Sequence, residues 1–303
     1  EAERAAPFAW SRAPAWRALL VRGGSARHHF VLTHHHVLLD GWSMAILFRD
    51  LGRAYAVLTR GNGPAVVAAP PFRAYVDWLL AQDQDAAQQY WRRALAGSGA
   101  ATSLRVATLL GQTTGATQPS RFARHRSFVS EPVAEAVAAF ARRHGLTENT
   151  LYQAAWALVL AAYTGRRDVV FGATLAGRPA ELDAAGDTLG LFINTLPVRV
   201  RVPPGAATLA WLQQLQMENA ERSRFAYSPW SLITSSQPRA LGESSLFDTL
   251  YVFENYPSES TGIELSGSTV AEVRAEHLTH YPLTLVVVPG ARVSLRVSYR
   301  SDC

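Results

Sequence analysis

The sequence contains no lysine. All 29 basic residues are arginine, set against 24 acidic ones for a formal net charge of +5. Arginine used alone, beside so much alanine, points to GC-rich coding and not to a nucleic-acid footprint. The arginines are also scattered. The densest group, Arg121, Arg124 and Arg126, has no aromatic series beside it on which bases would stack. It reads as a solvated face, with an anion-docking site as the alternative. Cysteine is nearly absent: Cys303 is the only one and stands last, which excludes an internal disulfide and a cysteine metal cluster and points to a reducing, cytoplasmic location. Long apolar runs are missing too. The best candidate, Leu151–Tyr163, is interrupted by Gln153 and falls short of the ~18 residues of a membrane span. The opening Glu1-Ala2-Glu3-Arg4 is neither an initiator methionine nor a signal peptide, so the chain is expected to be the inside of a longer one.

What is present is globular. The 303 residues are 48% apolar and 17% charged, enough for a sizeable core, and at ~150 residues per domain the length suggests two domains or lobes. Arg17–Val21 and His29–Thr33 read as short strands around the Gly23-Gly24-Ser25 turn. Ser43 suits a helix N-cap, and Met44, Leu47, Phe48, Leu51 and Tyr55 follow at helical spacing to about Leu58. Helix is expected over 72–95, broken near Asp83, then over 132–144, 147–163 and 209–224. Strands are expected over 168–174, 195–202, 249–253, 283–288 and 293–299. The small, polar stretch from Gly97 to Ser120 is the candidate boundary, giving lobes 1–97 and 98–303. This order of elements predicts a layered α/β or α+β architecture.

Common catalytic motifs are missing: there is no GxGxxG, P-loop or HExxH, and Gly41-Trp42-Ser43-Met44-Ala45 fails the GxSxG pattern at its last position. That leaves the histidines of 28–36. Strand alternation puts His34 and His36 on one face and His35 on the other, and Asp40 is the only nearby carboxylate, so no metal site is expected. An acid–base histidine fits better. His36 ends a strand, and Asp40-Gly41 turns the chain into a helix, which presents one imidazole at a cavity edge while glycine lets substrate approach the backbone. A satisfied core histidine is the competing reading.

His35-His36-Val37-Leu38-Leu39-Asp40-Gly41-Trp42-Ser43 resembles the HHxxxDG signature of nonribosomal peptide synthetase condensation domains. Further stretches resemble the same family in the same order: Tyr90–Gly97, Val170-Phe171-Gly172 with Gly177-Arg178-Pro179, Gly190–Pro197, and Phe247-Asp248-Thr249-Leu250 through Pro257. The family's upstream motifs and its last motif are missing, so the chain looks like a condensation domain truncated at both ends. The resemblance implies a two-lobed, V-shaped fold like that of chloramphenicol acetyltransferase, with the first lobe incomplete. It implies amide-bond formation, an acceptor aminoacyl-carrier amine attacking a donor carrier thioester. His36 takes the central role in a tunnel, and His35 supports it. Asp40 pairs with an arginine of the other lobe, for which Arg178 is the candidate, a catalytic Asp40–His36 dyad being the alternative. Gly41 lines the tunnel, Trp42 belongs to the core, and Asn194 contacts either substrate or a crossing loop. The domain binds no cofactor of its own. Phosphopantetheine arms come with upstream donor and downstream acceptor carrier domains, and an adenylation domain is the neighbour. Nucleic acid and membrane are not expected as partners. An epimerisation domain, a free-standing acyltransferase and a non-catalytic carrier platform are the alternatives.

Overall fold

The computed structural model describes residues 6–9, 11–24, 27–61, 68–98, 102, 104, 122–236, 246–255, 269–274, 279–290 and 292–300. Arg121, Cys303 and most of the expected 97–120 boundary lie outside the described residues. The chain divides into two compact units. One comprises Glu1–Leu80, Arg178–Ile193 and Tyr256–Ala275; the other comprises Ala81–Gly177, Asn194–Asn255 and Glu276–Cys303. Compactness thus divides the chain differently from the expected cut after residue 97: Ala81 onward already belongs to the second unit, and Arg178–Ile193 belongs to the first.

In the first unit, β1 (Trp16–Arg22) and β2 (His28–His34) pair antiparallel, with Trp16 opposite His34 and Arg22 opposite His28. Helix α1 (Gly41–Arg60) follows and ends at Gly61, whose φ of 73° only glycine adopts cheaply and whose N–H closes on Leu58 and Val57 carbonyls. The helix starts earlier than Ser43 would imply because Asp40 is its N-cap, the carboxylate accepting the Ser43 N–H at 2.8 Å. A second helix, α2, spans Arg73–Leu80.

The second unit begins with α3 (Gln84–Ala94). The break expected near Asp83 is present, and Asp83 itself caps α3 through the Ala86 N–H at 2.9 Å. Then come β3 (Phe122–Phe128), α4 (Glu131–His144), α5 (Glu148–Thr164), β4 (Asp168–Leu175), β5 (Asn194–Arg201), α6 (Thr208–Ser223), α7 (Trp230–Ser235), β6 (Thr249–Phe253), β7 (Leu283–Val288) and β8 (Ser294–Arg300). The strands form one sheet in the order β3-β8-β7-β6-β4-β5. Strand β6 runs parallel to β4 and β7, and the other neighbours are antiparallel. This is the expected layered α/β architecture. Periodicity did not announce β3 or the six-residue α7. Among the described residues no helix is long and apolar enough to cross a membrane.

Both faces of the interior strand β4 are covered, as its β-branched run implies. Val169 and Phe171 pack on one side with Ala157 and Leu160 of α5 and Leu215 of α6. Val170 packs on the other with Trp91 and Leu95, Ile233 of α7 and Phe247. That second cluster explains why 84–95 belongs to the second unit. Strand β5 buries Leu196, Val198 and Val200 as expected, but Pro197, expected on its exposed face, is buried too, so the strand is half-exposed only toward its end. Arg199 departs from the pattern. Its guanidinium folds onto Asp168 with bonds of 2.8 and 2.6 Å, holding that carboxyl below its usual value.

Gly172 lies flat under Phe247, and a Cβ there would overlap the aromatic ring. Gly172→Ala gains ~0.4–1 kcal/mol by restricting the unfolded chain but costs ~1–3 kcal/mol in overpacking. Overpacking wins, so we expect a lower denaturation midpoint with an unchanged denaturant slope.

Candidate active site

The alternation of the histidines ends at His34, where β2 ends; His35 to Leu38 form a turn. His34 is half-buried, and burial lowers its imidazole below the usual value, opposed by a bond to the His35 carbonyl. His35 is also half-buried, and its Nδ1 accepts the Val37 N–H at 3.1 Å, which shapes the turn. His36 stands on the exposed side of that turn, four residues before the buried Asp40. The turn is therefore suspended between a strand end and a helix start, which fixes its backbone at both sides.

Asp40 is the fixed point of the site. Its side chain is fully buried, and so is that of Arg178 apart from 7% of its surface; the two meet at 3.2 Å. Arg178 was expected to reach Asp40 from another lobe. It lies instead in the same compact unit, because Arg178–Ile193 folds with Glu1–Leu80. The carboxylate bonds are divided. Oδ1 accepts from Ser43 N–H and Arg178, and Oδ2 accepts the Phe192 N–H at 3.0 Å. Arg178 in turn donates to the carbonyls of Ala185 and Thr188 and to the Ser43 hydroxyl at 3.0 Å, with its guanidinium 4.0 Å over the Phe192 ring. Burial pulls the guanidinium below its usual value and Asp40 opposes the shift, so the cation is kept by its pairing.

Ser43 is a residue that sequence reading assigned only a capping role. Fully buried, its hydroxyl donates to the Gly190 carbonyl at 2.7 Å and accepts the Gly190 N–H at 3.0 Å. Ser43, Asp40 and Arg178 together lock the 185–192 segment onto the start of α1. The aspartate-to-serine spacing of three was a signal for the cap, but nothing local points to Gly190. Gly41 is the first residue of α1, and Trp42 donates its indole N–H to the Gly186 carbonyl at 3.0 Å. Gly190 has to be glycine, since a Cβ would run into the Phe72 ring. Phe72, Tyr75 and Phe192 form an aromatic cluster at 4.3–5.3 Å centroid spacing behind it.

Asn194 opens β5 in the second unit. Its amide nitrogen donates to the carbonyls of Ala226 and Ser228, both at 2.8 Å. Asn194→Ala strips both carbonyls of their donor, a loss of ~1–3 kcal/mol if they stay buried. Hydrogen exchange should rise in the 224–230 loop while the β4–β5 ladder stays protected. Among the described residues, no three histidine, cysteine or acidic side chains converge on a point that would hold a metal ion.

A family model for the condensation domain matches residues 1–303. The chain is 43% identical over 301 residues to one of the proteins that make up the linear gramicidin synthase of Brevibacillus parabrevis, covering 99% of this chain and 6% of that protein. It is 31% identical to bacitracin synthase 3 of Bacillus licheniformis, covering 99% of this chain and 5% of that one. It thus spans a small part of the curated relatives it matches. Among solved structures, the X-domain from teicoplanin biosynthesis superposes with a TM-score of 0.81 at 20% identity, over 99% of this chain and 70% of that one. The first condensation domain of the calcium-dependent antibiotic synthetase gives 0.67 at 21% identity, over 99% and 66%. The fold is shared with both, and the chain belongs to the condensation-domain family of nonribosomal peptide synthetases.

Proposed function

We propose that the chain forms amide bonds, transferring a donor acyl or peptidyl group from one carrier protein to the α-amine of an aminoacyl group on another. The observation that carries this reading is the exposed His36 on a turn whose far end is immobilised at Asp40. Phosphopantetheine arms on the two carriers bring the thioester and the amine. The domain supplies no cofactor, and the adenylation domain that loads the acceptor carrier is a neighbour.

Magnitudes separate two tasks for His36. An α-amine has a reference pKa of ~7.7–8.0, so roughly a tenth of it is already nucleophilic at neutral pH, and abstracting that proton beforehand is worth only about 1–1.5 kcal/mol. After attack the nitrogen is cationic and far more acidic. The C–N bond has then formed, the carbonyl π pair rests on oxygen, and the proton must leave before the thiolate is expelled. A base or hydrogen-bond acceptor at that step contributes ~10²–10⁴-fold. His36 therefore orients the amine and takes its proton from the tetrahedral adduct. Asp40 and Arg178 act as the buried frame, His35 as the turn's support, and Gly41 lets substrate pass close to the backbone. Asn194 braces the 226–228 loop.

The test is reconstitution of the synthetase module with two loaded carriers, with transfer followed by intact-protein mass spectrometry. Dipeptide on the acceptor carrier is expected. Solvent deuterium entering the donor α-carbon without transfer would mark an epimerisation domain and end this reading.

A further inference from the structure

The strand that periodicity did not announce carries Arg124 and Arg126, two of the arginines that composition set aside. Among the described residues, strand β3 is one edge of the sheet, with β8 on its inner side. Register puts Arg126 directly opposite Arg296. Residues two apart share a face, so Arg126 and Phe128 lie beside Ser294 and Arg296, while Leu295 turns to the opposite core. Like charges set opposite each other destabilise a strand pair. Here the described contacts of the outer arginines are with neutral groups: Arg126 donates to the Ser294 hydroxyl at 3.0 Å and sits 4.8 Å over the Phe128 ring. Arg292 lies 3.9 Å over the same ring. Arg296 reaches Glu254 at 3.6 Å with 47% of its side chain still exposed. Two guanidinium groups are thus held in place by one phenyl ring, beside a third.

We propose that this edge is a docking surface for an acidic, extended peptide segment that adds to β3 as a further strand. An edge strand offers unpaired backbone groups on its outer side. Alternate side chains of an added strand repeat every two residues, so its carboxylates fall beside Arg126, with Arg292 and Arg296 adding positive charge behind. The same charges exclude a second copy of this chain, whose β3 would set arginine against arginine. Single-stranded nucleic acid is a poorer fit, because stacking needs an open aromatic face and Phe128 already carries two guanidinium groups. This assignment does not depend on the role of His36.

The probe is a fluorescein-labelled nonapeptide of alternating glutamate and valine, titrated with the 303-residue chain and read by anisotropy. Saturable binding is expected at 50 mM salt, weakening about tenfold at 300 mM, as rim electrostatics do. Arg126→Gln with Arg296→Gln should weaken it by a similar factor, about tenfold. Arg292→Ala, outside the strand ladder, serves as a second variant should the first misfold, and Arg53→Gln is the unchanged control. Methylating alternate backbone nitrogens of the peptide should abolish binding. Equal affinity for wild type and folded variants, equal affinity of the methylated peptide, or equal competition by a DNA oligonucleotide of the same charge would each overturn the proposal.

Discussion

His36→Ala is expected to lower dipeptide formation by at least ~10-fold, the low end of what losing a positioned base or orienter costs. The fall should appear in single-turnover transfer between preloaded carriers, where loading and release are removed from the rate. Folding should hardly notice. His36 is exposed, and surface truncations of that kind usually stay within about 0.5 kcal/mol. His35→Ala should give the reverse pattern. Its Nδ1 accepts the Val37 N–H inside the turn, so its removal should cost stability first and rate only through the distorted turn. Raising the pH should also rescue the His36 variant little, since amine deprotonation before attack is the smaller part of the barrier. A folded His36→Ala protein with wild-type turnover removes the residue from the mechanism.

Asp40→Ala should lower the melting temperature on the order of 10 °C, which at ~2–4 °C per kcal/mol corresponds to the ~3–5 kcal/mol of a buried ion pair broken from one side. The residual Arg178 cation would stay inside with its Nε already lacking a hydrogen-bond partner among the described residues. Arg178→Ala should cost a similar amount by leaving the carboxylate. The double variant should lose much less than the sum, because neither charge is then stranded. It should not return to wild type, since the carboxylate also caps α1 through Ser43 and holds the Phe192 N–H. Asp40→Asn keeps an oxygen for the cap and isolates the charge. A catalytic dyad makes another pattern: Asp40→Asn stable but without turnover, and Arg178→Ala largely active. That outcome, or strictly additive losses in the double variant, would move Asp40 from the frame to the chemistry.

Local chemistry carried much of this structure into view. Gly61, Gly145 and Asp83 stop or start helices by their own geometry, and the expected elements from Glu131 to Arg201 differ from the observed ones by a residue or so. The misses have a common cause. Strand β3 is an arginine-rich edge whose polar residues imitate a loop. Ser43 looks like a cap because cap and buried linchpin use the same hydroxyl, and only Gly190, 147 residues away, separates the two. The pairing of Asp40 with Arg178 came from family resemblance. Its place within one unit, however, depends on where the 178–193 segment packs, which no local pattern encodes.

That discontinuity has a consequence in time. Arg178 leaves the ribosome 138 residues after Asp40. At ~5–20 residues per second this is an interval of roughly 7–28 s. During it the Asp40 carboxylate, the Ser43 hydroxyl and the Phe72 ring have no 178–193 segment to close on. Meanwhile β4, an interior strand of the other unit, emerges just before the segment. The nascent first unit therefore lacks its 178–193 segment while helices α3, α4 and α5 of its neighbour have already been made. A pause placed by the messenger near codon 80 would lengthen that exposure, and one placed after codon 193 would let the clasp form before more chain competes for it.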